Sequence, residues 1–157
     1  MKLKIIAAGR LKAGPEQALV GDYQKRLKPA PAGLGPLTIS EIEAKRGLDG
    51  PALKSAEAQL FRDRLGDAPF VAMDERGKNL SSPDFAALIG ALRDEGVREL
   101  CFVIGGADGL DADFRATARH VLSLGKLTLP HMLARAVLAE QLYRAATILA
   151  GHPYHRA

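Results

Sequence analysis

The end of the chain, His152-Pro153-Tyr154-His155-Arg156-Ala157, gathers two imidazoles, a phenol and a guanidinium within five positions. These groups can move a proton near neutral pH, stack on a nucleobase or hold a phosphate. Chain ends more often fray into small polar residues, and on these residues alone a disordered tail of accidental composition stays open. The other candidate groups fall where apolar runs stop: Met73-Asp74, the loop Gly105-Gly106-Ala107-Asp108-Gly109, and the segment Leu124-Gly125-Lys126-Leu127-Thr128-Leu129 before Pro130-His131. In an open parallel sheet, ligands bind beyond the carboxyl ends of the strands, where loops present main-chain amides and carbonyls. Glycine at 105 and 106 lets the backbone approach a flat ligand, although a tight turn into the next helix would use the same residues.

Several chemistries are set aside by what the sequence lacks. Neither G-x-G-x-x-G nor G-x-x-x-x-G-K-[ST] occurs, so no dinucleotide fingerprint or phosphate loop is present. The four histidines lack the spacing of a zinc site, no metal is expected, and no Ser-His-Asp context stands out. Three strand ends without a phosphate motif suggest a small organic cofactor held by main chain. The only cysteine, Cys101, lies inside the apolar run Leu100 to Ile104 and reads as a small core side chain.

The 157 residues suit one domain spanning 1–157. No stretch approaches the ~20 uncharged residues of a membrane span, and the apolar residues before Arg10 are too few for a secretory signal, so a cytoplasmic protein is expected. Charge divides unevenly along the chain: residues 1 to 62 carry 11 basic and 6 acidic groups, residues 63 to 113 carry 5 and 11, and residues 114 to 157 carry 6 and 1. The basic outer segments are where an anionic partner such as RNA would bind, unless they are merely solvated faces.

The elements that must position these groups alternate. Lys2 to Ala8 reads as a strand, about Pro15 to Lys28 as a helix, 29 to 36 as a proline- and glycine-broken loop, and Leu37 to Ile42 as a second strand. Pro51 to Leu65 forms a helix, Phe70 to Asp74 a strand followed by a turn at Glu75 to Lys78, and Ser82 serves as the cap of the next helix. Leu100 to Ile104, almost without polar residues, reads as a strand covered on both faces. A helix from about Asp111 to Leu122, a strand near Lys126 to Leu129 and a helix from Pro130 to Ala150 complete the chain. The fold class is therefore α/β, a mostly parallel sheet flanked by helices. On the last helix, Arg144 and Thr147 fall within about 40 degrees of Glu140 and His131 and Arg135 lie nearly opposite. Two polar lines separate two apolar flanks, so one flank is free to meet a second copy of the chain.

Three ordered segments, LCFVIGGADG at 100 to 109, LTLPHMLARAVLAEQLYRA at 127 to 145 and HPYHR at 152 to 156, resemble the RlmH family of bacterial large-subunit rRNA methyltransferases, in the SPOUT class. The likeness extends to KLKIIAAGR at the start and to the basic turn at 45 to 47. It implies a trefoil-knotted α/β fold and a homodimer that uses S-adenosylmethionine to methylate N3 of a pseudouridine in 23S rRNA on the assembled ribosome, with no DNA or membrane partner. Residue by residue, it carries cofactor contacts onto Met73, Gly105, Leu124, Gly125, Lys126, Leu127, Thr128 and Leu129. It carries the substrate-facing end onto Tyr154, His155 and Arg156. In those roles Tyr154 would stack on the base, His155 would accept or direct the N3 proton, and Arg156 would hold a phosphate. Lys25, Arg26, Lys28, Lys45 and Arg46 are the candidates for RNA backbone contacts. Two alternatives remain: the same fold acting on another RNA such as tRNA, and a catalytically silent ribosome- or RNA-binding protein.

Overall fold

Five apolar runs pair side by side into one parallel sheet in the order β2-β1-β4-β3-β5: β1 Lys2–Ala8, β2 Leu37–Ile42, β3 Phe70–Asn79, β4 Glu99–Ile104 and β5 His120–Ser123. The helices are α1 Pro15–Leu27, α2 Gly50–Leu65, α3 Ser82–Asp94, the short α4 Ala112–Ala116 and α5 His131–Leu149. A 3-10 turn at Pro31–Gly33 precedes β2 and another at Pro153–Arg156 follows α5. This computed structural model describes residues 1–156, with the side chains of 155 and 156 and the whole of residue 157 left out.

The two-residue period of the central strands sorts the core into two halves. Leu3, Ile5 and Ala7 of β1 with Leu100, Phe102 and Ile104 of β4 pack against α1, α3 and α5. Their neighbours Ile6, Ala8, Cys101 and Val103 face Ala58, Phe61 and Leu65 of α2 and Phe114 of α4. Each central strand is thus apolar on both faces, which is why β4 reads as an unbroken apolar run. Burial pushes the Cys101 thiol up to about 11, helped by the nearby Glu99 carboxylate, and leaves it an unreactive core side chain. No helix among the described residues is long and apolar enough to cross a membrane.

Three local expectations are corrected. The helix expected over Asp111 to Leu122 closes after Ala116, where the Thr117 hydroxyl donates to the Phe114 carbonyl at 2.7 Å. The fifth strand is His120–Ser123, and 126 to 129 is loop, with Leu127 85% exposed. The slot beside Val71, Ala72 and Met73 takes His120, Val121 and Leu122 as a strand, and this non-local pairing overrides the local helical pattern. The cap of α3 is Ser81, whose hydroxyl accepts from the Asp84 N–H at 3.2 Å, while the Ser82 hydroxyl turns to Gln141 at 2.7 Å.

β3 also continues through the expected turn. Leu122 pairs with Met73 and again with Lys78, so β3 meets β5 twice with Asp74 to Gly77 forming an arm between the two contacts. A Cβ at Gly77 would lie 2.5 Å from the Leu122 carbonyl carbon, so only glycine lets the arm cross β5 this closely.

Candidate functional site

At the carboxyl ends of β3, β4 and β5 a cavity of about 460 Å³ opens between three loops. The arm after Met73 forms one wall, Gly105 to Gly109 a second, and Ser123 to Gly125 with Leu127 to His131 and Ala134 the third. Among the cofactor positions expected from sequence, Met73, Gly105, Leu124, Gly125, Leu127, Thr128 and Leu129 share this lining, whereas Lys126 turns to a neighbouring cavity.

Main chain shapes the second wall. The Gly109 N–H donates to the Gly106 carbonyl at 3.0 Å, closing the loop so tightly that a Cβ at Gly105 would sit 2.9 Å from the Gly109 carbonyl carbon. From behind, the half-buried Glu57 of α2 accepts the Gly106 N–H, and burial, with the Asp108 charge, raises its carboxyl above the usual range despite that bond. On the opposite wall, burial opposes the Asp74 carboxylate. The Arg76 N–H at 2.9 Å and the Arg115 guanidinium at 3.0 Å outweigh it and hold the carboxyl below its usual range. Asp74 therefore stays ionised at the cavity and ties the arm to α4.

A residue without an assigned role in the sequence holds this end of the sheet together. Arg135, fully buried on α5, donates from Nη2 to the carbonyls of Ala8 at 2.7 Å and Gly9 at 2.8 Å, and from Nη1 to Glu41 Oε1 at 3.2 Å. Glu41 also accepts the Leu11 N–H at 2.6 Å. One guanidinium thus fastens the helix that begins at the cavity to the ends of β1 and β2. Its only sequence signal was a lone cation among apolar neighbours on a buried helix, which in an interior demands partners.

The tail sits elsewhere. The Tyr154 hydroxyl donates to Glu140 Oε1 at 3.2 Å and lies 3.4 Å from the Tyr23 hydroxyl, while its ring packs edge-on against Tyr143 with centroids 4.8 Å apart. Arg144 pairs with Glu140 at 2.7 Å and lies over the Tyr154 ring at 5.1 Å. Burial, then the Tyr23 hydroxyl and the Glu140 charge, raise the Tyr154 phenol, so it remains protonated at neutral pH and cannot serve as a base. The cavity lies at the start of α5, beside His131 and Ala134, whereas Glu140, which holds the hydroxyl, is six residues past Ala134, about 9 Å along the helix, and Arg144, over the ring, is ten residues past it, about 15 Å. Within one chain, then, Tyr154 is anchored away from the cavity. The side chains of His155 and Arg156 lie outside the described residues.

A second cavity, about 480 Å³, shares Met73, Ser123, Leu124 and Gly125 with the first and extends between α3 and α5. Lys25, Lys28, Lys45 and Arg46 are exposed and make no ion pair among the described residues, whereas Arg26 pairs with Asp22 at 2.8 Å. No group of three or more histidine, cysteine, aspartate or glutamate side chains suited to a metal occurs among the described residues.

Comparison with known proteins gives a concordant answer. A family described as "Predicted SPOUT methyltransferase" matches residues 1–155. A protein of Allorhizobium ampelinum named ribosomal RNA large subunit methyltransferase H is 51% identical over 160 residues, covering 100% of both chains. The protein of that name from Roseobacter denitrificans is 50% identical over 159 residues, covering 99% of each. Among solved structures, a probable methyltransferase from Bordetella pertussis superposes with a TM-score of 0.53 at 16% identity, covering 92% of this chain and 96% of that one, a likeness of fold alone.

Proposed function

The chain belongs to the SPOUT methyltransferase family, and from that premise we propose that it methylates RNA of the large ribosomal subunit with S-adenosylmethionine as donor. The finer reading is methylation of N3 of a pseudouridine in 23S rRNA on the assembled ribosome, by a cytoplasmic homodimer. The observation that carries it is the cavity at the ends of β3, β4 and β5, which collects Met73, Gly105, Leu124, Gly125, Leu127, Thr128 and Leu129 in a chain matched over its whole length by large-subunit rRNA methyltransferases.

The residues fit such a donor. A bound S-adenosylmethionine supplies a methyl group on a cationic sulfonium. Apolar side chains of Met73, Ile104, Leu124 and Leu129 suit the adenine and the methylene chain, and Asp74, Glu75 and Asp108 at the rim favour a cation. A side chain added at Gly109 or Gly125 would meet nothing within 4 Å, so the backbone there lies open to a ligand, and exposed main-chain amides and carbonyls can bond its polar edges.

For N3 to take that methyl group, the chain's residues would have to hold the base in line with the donor and receive the N3 proton, chemistry that requires no metal. We assign the proton to His155 and a backbone phosphate to Arg156. Tyr154, a neutral phenol whose one O–H already donates to Glu140, is left to stack. Its anchorage on Glu140 and Arg144, about 9 to 15 Å along α5 beyond Ala134 of its own cavity, favours a dimer in which each tail serves the partner's cavity. Leu127 on the cavity wall and Leu133 on α5, 85% and 36% exposed, are suited to such an interface. Lys25, Lys28, Lys45 and Arg46 would hold rRNA phosphates.

The test is transfer of labelled methyl to intact ribosomes, separated subunits and bulk tRNA, all from cells lacking the activity. Label confined to 23S rRNA of intact ribosomes is expected. Label in tRNA would replace the substrate, and no transfer without cofactor binding would leave a silent RNA-binding protein. His155→Ala should lower kcat by about 10²-fold or more if that imidazole takes the proton.

A further inference from the structure

The two cavities that share the Ser123 to Gly125 wall differ in charge. The cofactor cavity is rimmed by Asp74, Glu75 and Asp108, with Arg76 the only full cation among its lining residues. Its neighbour is lined by Lys78 and Lys126 and by no acidic residue. Neither lysine makes an ion pair or a side-chain hydrogen bond among the described residues, and neither does the Asn79 amide form any side-chain hydrogen bond there. Uncommitted donors around a partly apolar hollow suit a flat, polar, anionic ligand.

Resting on the reading of the chain as an rRNA methyltransferase, we propose that this second cavity, between α3, α5 and the end of β5, receives the target nucleotide of the RNA. Phosphates of the unstacked strand lie on Lys78 and Lys126, and the base lies over Leu80, Phe85 and Val137. A uracil-type edge alternates carbonyl acceptors with an N–H donor, and the amide of Asn79 offers both complements. Gln141 is held at the back of the cavity: its Oε1 accepts from the Ser82 hydroxyl at 2.7 Å and its Nε2 donates to Glu140 at 2.7 Å, leaving one amide N–H free. Glu140 also accepts the Tyr154 hydroxyl, so Gln141 and the anchor of the tail share one carboxylate. The wall shared with the cofactor cavity brings the base beside the methyl donor, and a volume of about 480 Å³ admits one flipped nucleotide.

Lys126 makes the assignment decisive, since the family resemblance gives it to the cofactor and the geometry gives it to the RNA. The experiment compares Lys78→Gln, Lys126→Gln and Asn79→Ala with the wild-type full-length protein, measuring KM for ribosomes from 50 to 200 mM salt, cofactor affinity by calorimetry and assembly by sedimentation. Expected are a several-fold rise in ribosome KM for each variant, a salt slope reduced by about 1 for each lysine, and cofactor affinity within about twofold of wild type. If Lys126→Gln weakens the cofactor and leaves the ribosome salt slope unchanged, that lysine belongs to the donor and the assignment falls. Wild-type KM and slope in Lys78→Gln and Asn79→Ala overturn it while leaving the methyltransferase reading intact. Dissociation of the variants into monomers overturns it in favour of a second copy covering the cavity. A wild-type protein that methylates no rRNA defeats the functional reading first and takes this assignment with it.

Discussion

Replacing Arg135 by methionine keeps much of the side chain's volume and removes the charge, so the loss measures the clamp at the carboxyl ends of β1 and β2. Three bonds go, to Ala8 and Gly9 carbonyls at 2.7 and 2.8 Å and to Glu41 at 3.2 Å. Removing one partner of a buried charged set costs about 3–5 kcal/mol, because the groups left behind are unpaired. Glu41 retains 32% side-chain exposure and can recover water, which places the expected loss near the lower figure, about 3 kcal/mol. That is a large part of the ~5–15 kcal/mol that usually separates folded from unfolded. In a chain of this length it should lower Tm by about 6–12 °C. Urea unfolding at pH 7, with the slope checked for constancy, gives the free energy directly. The Arg135→Met, Glu41→Gln double variant should lose less than the sum of the two single changes, since their bond is counted once. A loss below about 1 kcal/mol for Arg135→Met would refute the argument, because it would mean that water reaches the Ala8 and Gly9 carbonyls and the clamp is redundant.

Two further perturbations probe the walls of the cavity proposed for the cofactor. Gly77→Ala puts a Cβ 2.5 to 2.7 Å from three backbone atoms of Leu122, and should cost about 3 kcal/mol, the upper end for overpacking, while weakening cofactor binding. Gly21→Ala, in α1 with nothing within 4 Å, is the control and should be neutral or stabilising in the same thermal scan. Glu57→Gln keeps an acceptor for the Gly106 N–H but removes a carboxylate whose proton the folded state holds too firmly. A raised carboxyl pKa means that the folded protein binds more protons than the unfolded chain, so wild-type stability falls as pH rises through the carboxylate range. The variant should therefore melt higher than wild type at pH 7, with the gap closing as pH falls through the raised value and gone below the ordinary glutamate value of about 4.3. A constant gap across that range would remove the electrostatic cause.

The parts of the fold that sequence reveals are those whose local pattern and tertiary role agree. β1 and β2 stand at Lys2–Ala8 and Leu37–Ile42, as their apolar runs and flanking glycine and proline indicate, and α2 ends at Leu65 with Gly66 after it. The stretch 111 to 129 fails for the opposite reason. Residues 111 to 122 favour a helix locally, but the open edge beside Val71 to Met73 rewards a strand at 120 to 123, and a partner 49 residues away leaves no mark on the local period. Arg135 is similar: a single cation among apolar residues signals an interior partner, yet the partners are carbonyls of β1, whose approach only the fold decides.

Charge shows the same limit in the site itself. Summed along the chain, residues 63 to 113 are acidic and the outer segments basic, which assigns RNA contact to the ends. The fold cuts across that division. Asp74 and Glu75 line the cavity suited to a cationic donor, and Lys78, only a few residues on in the same acidic segment, lines the cavity suited to an anion. The arm from Asp74 to Gly77 makes this possible, since it carries β3 from one contact with Leu122 to the next and so delivers opposite charges to opposite sides of one wall. Net charge over a segment measures what the solvent sees on average, whereas recognition depends on which side of β5 each side chain emerges. For the proposed reaction, which brings a sulfonium to a polyanion, separating the two charges by this short arm of β3 is the arrangement that lets neither proposed site repel its own ligand.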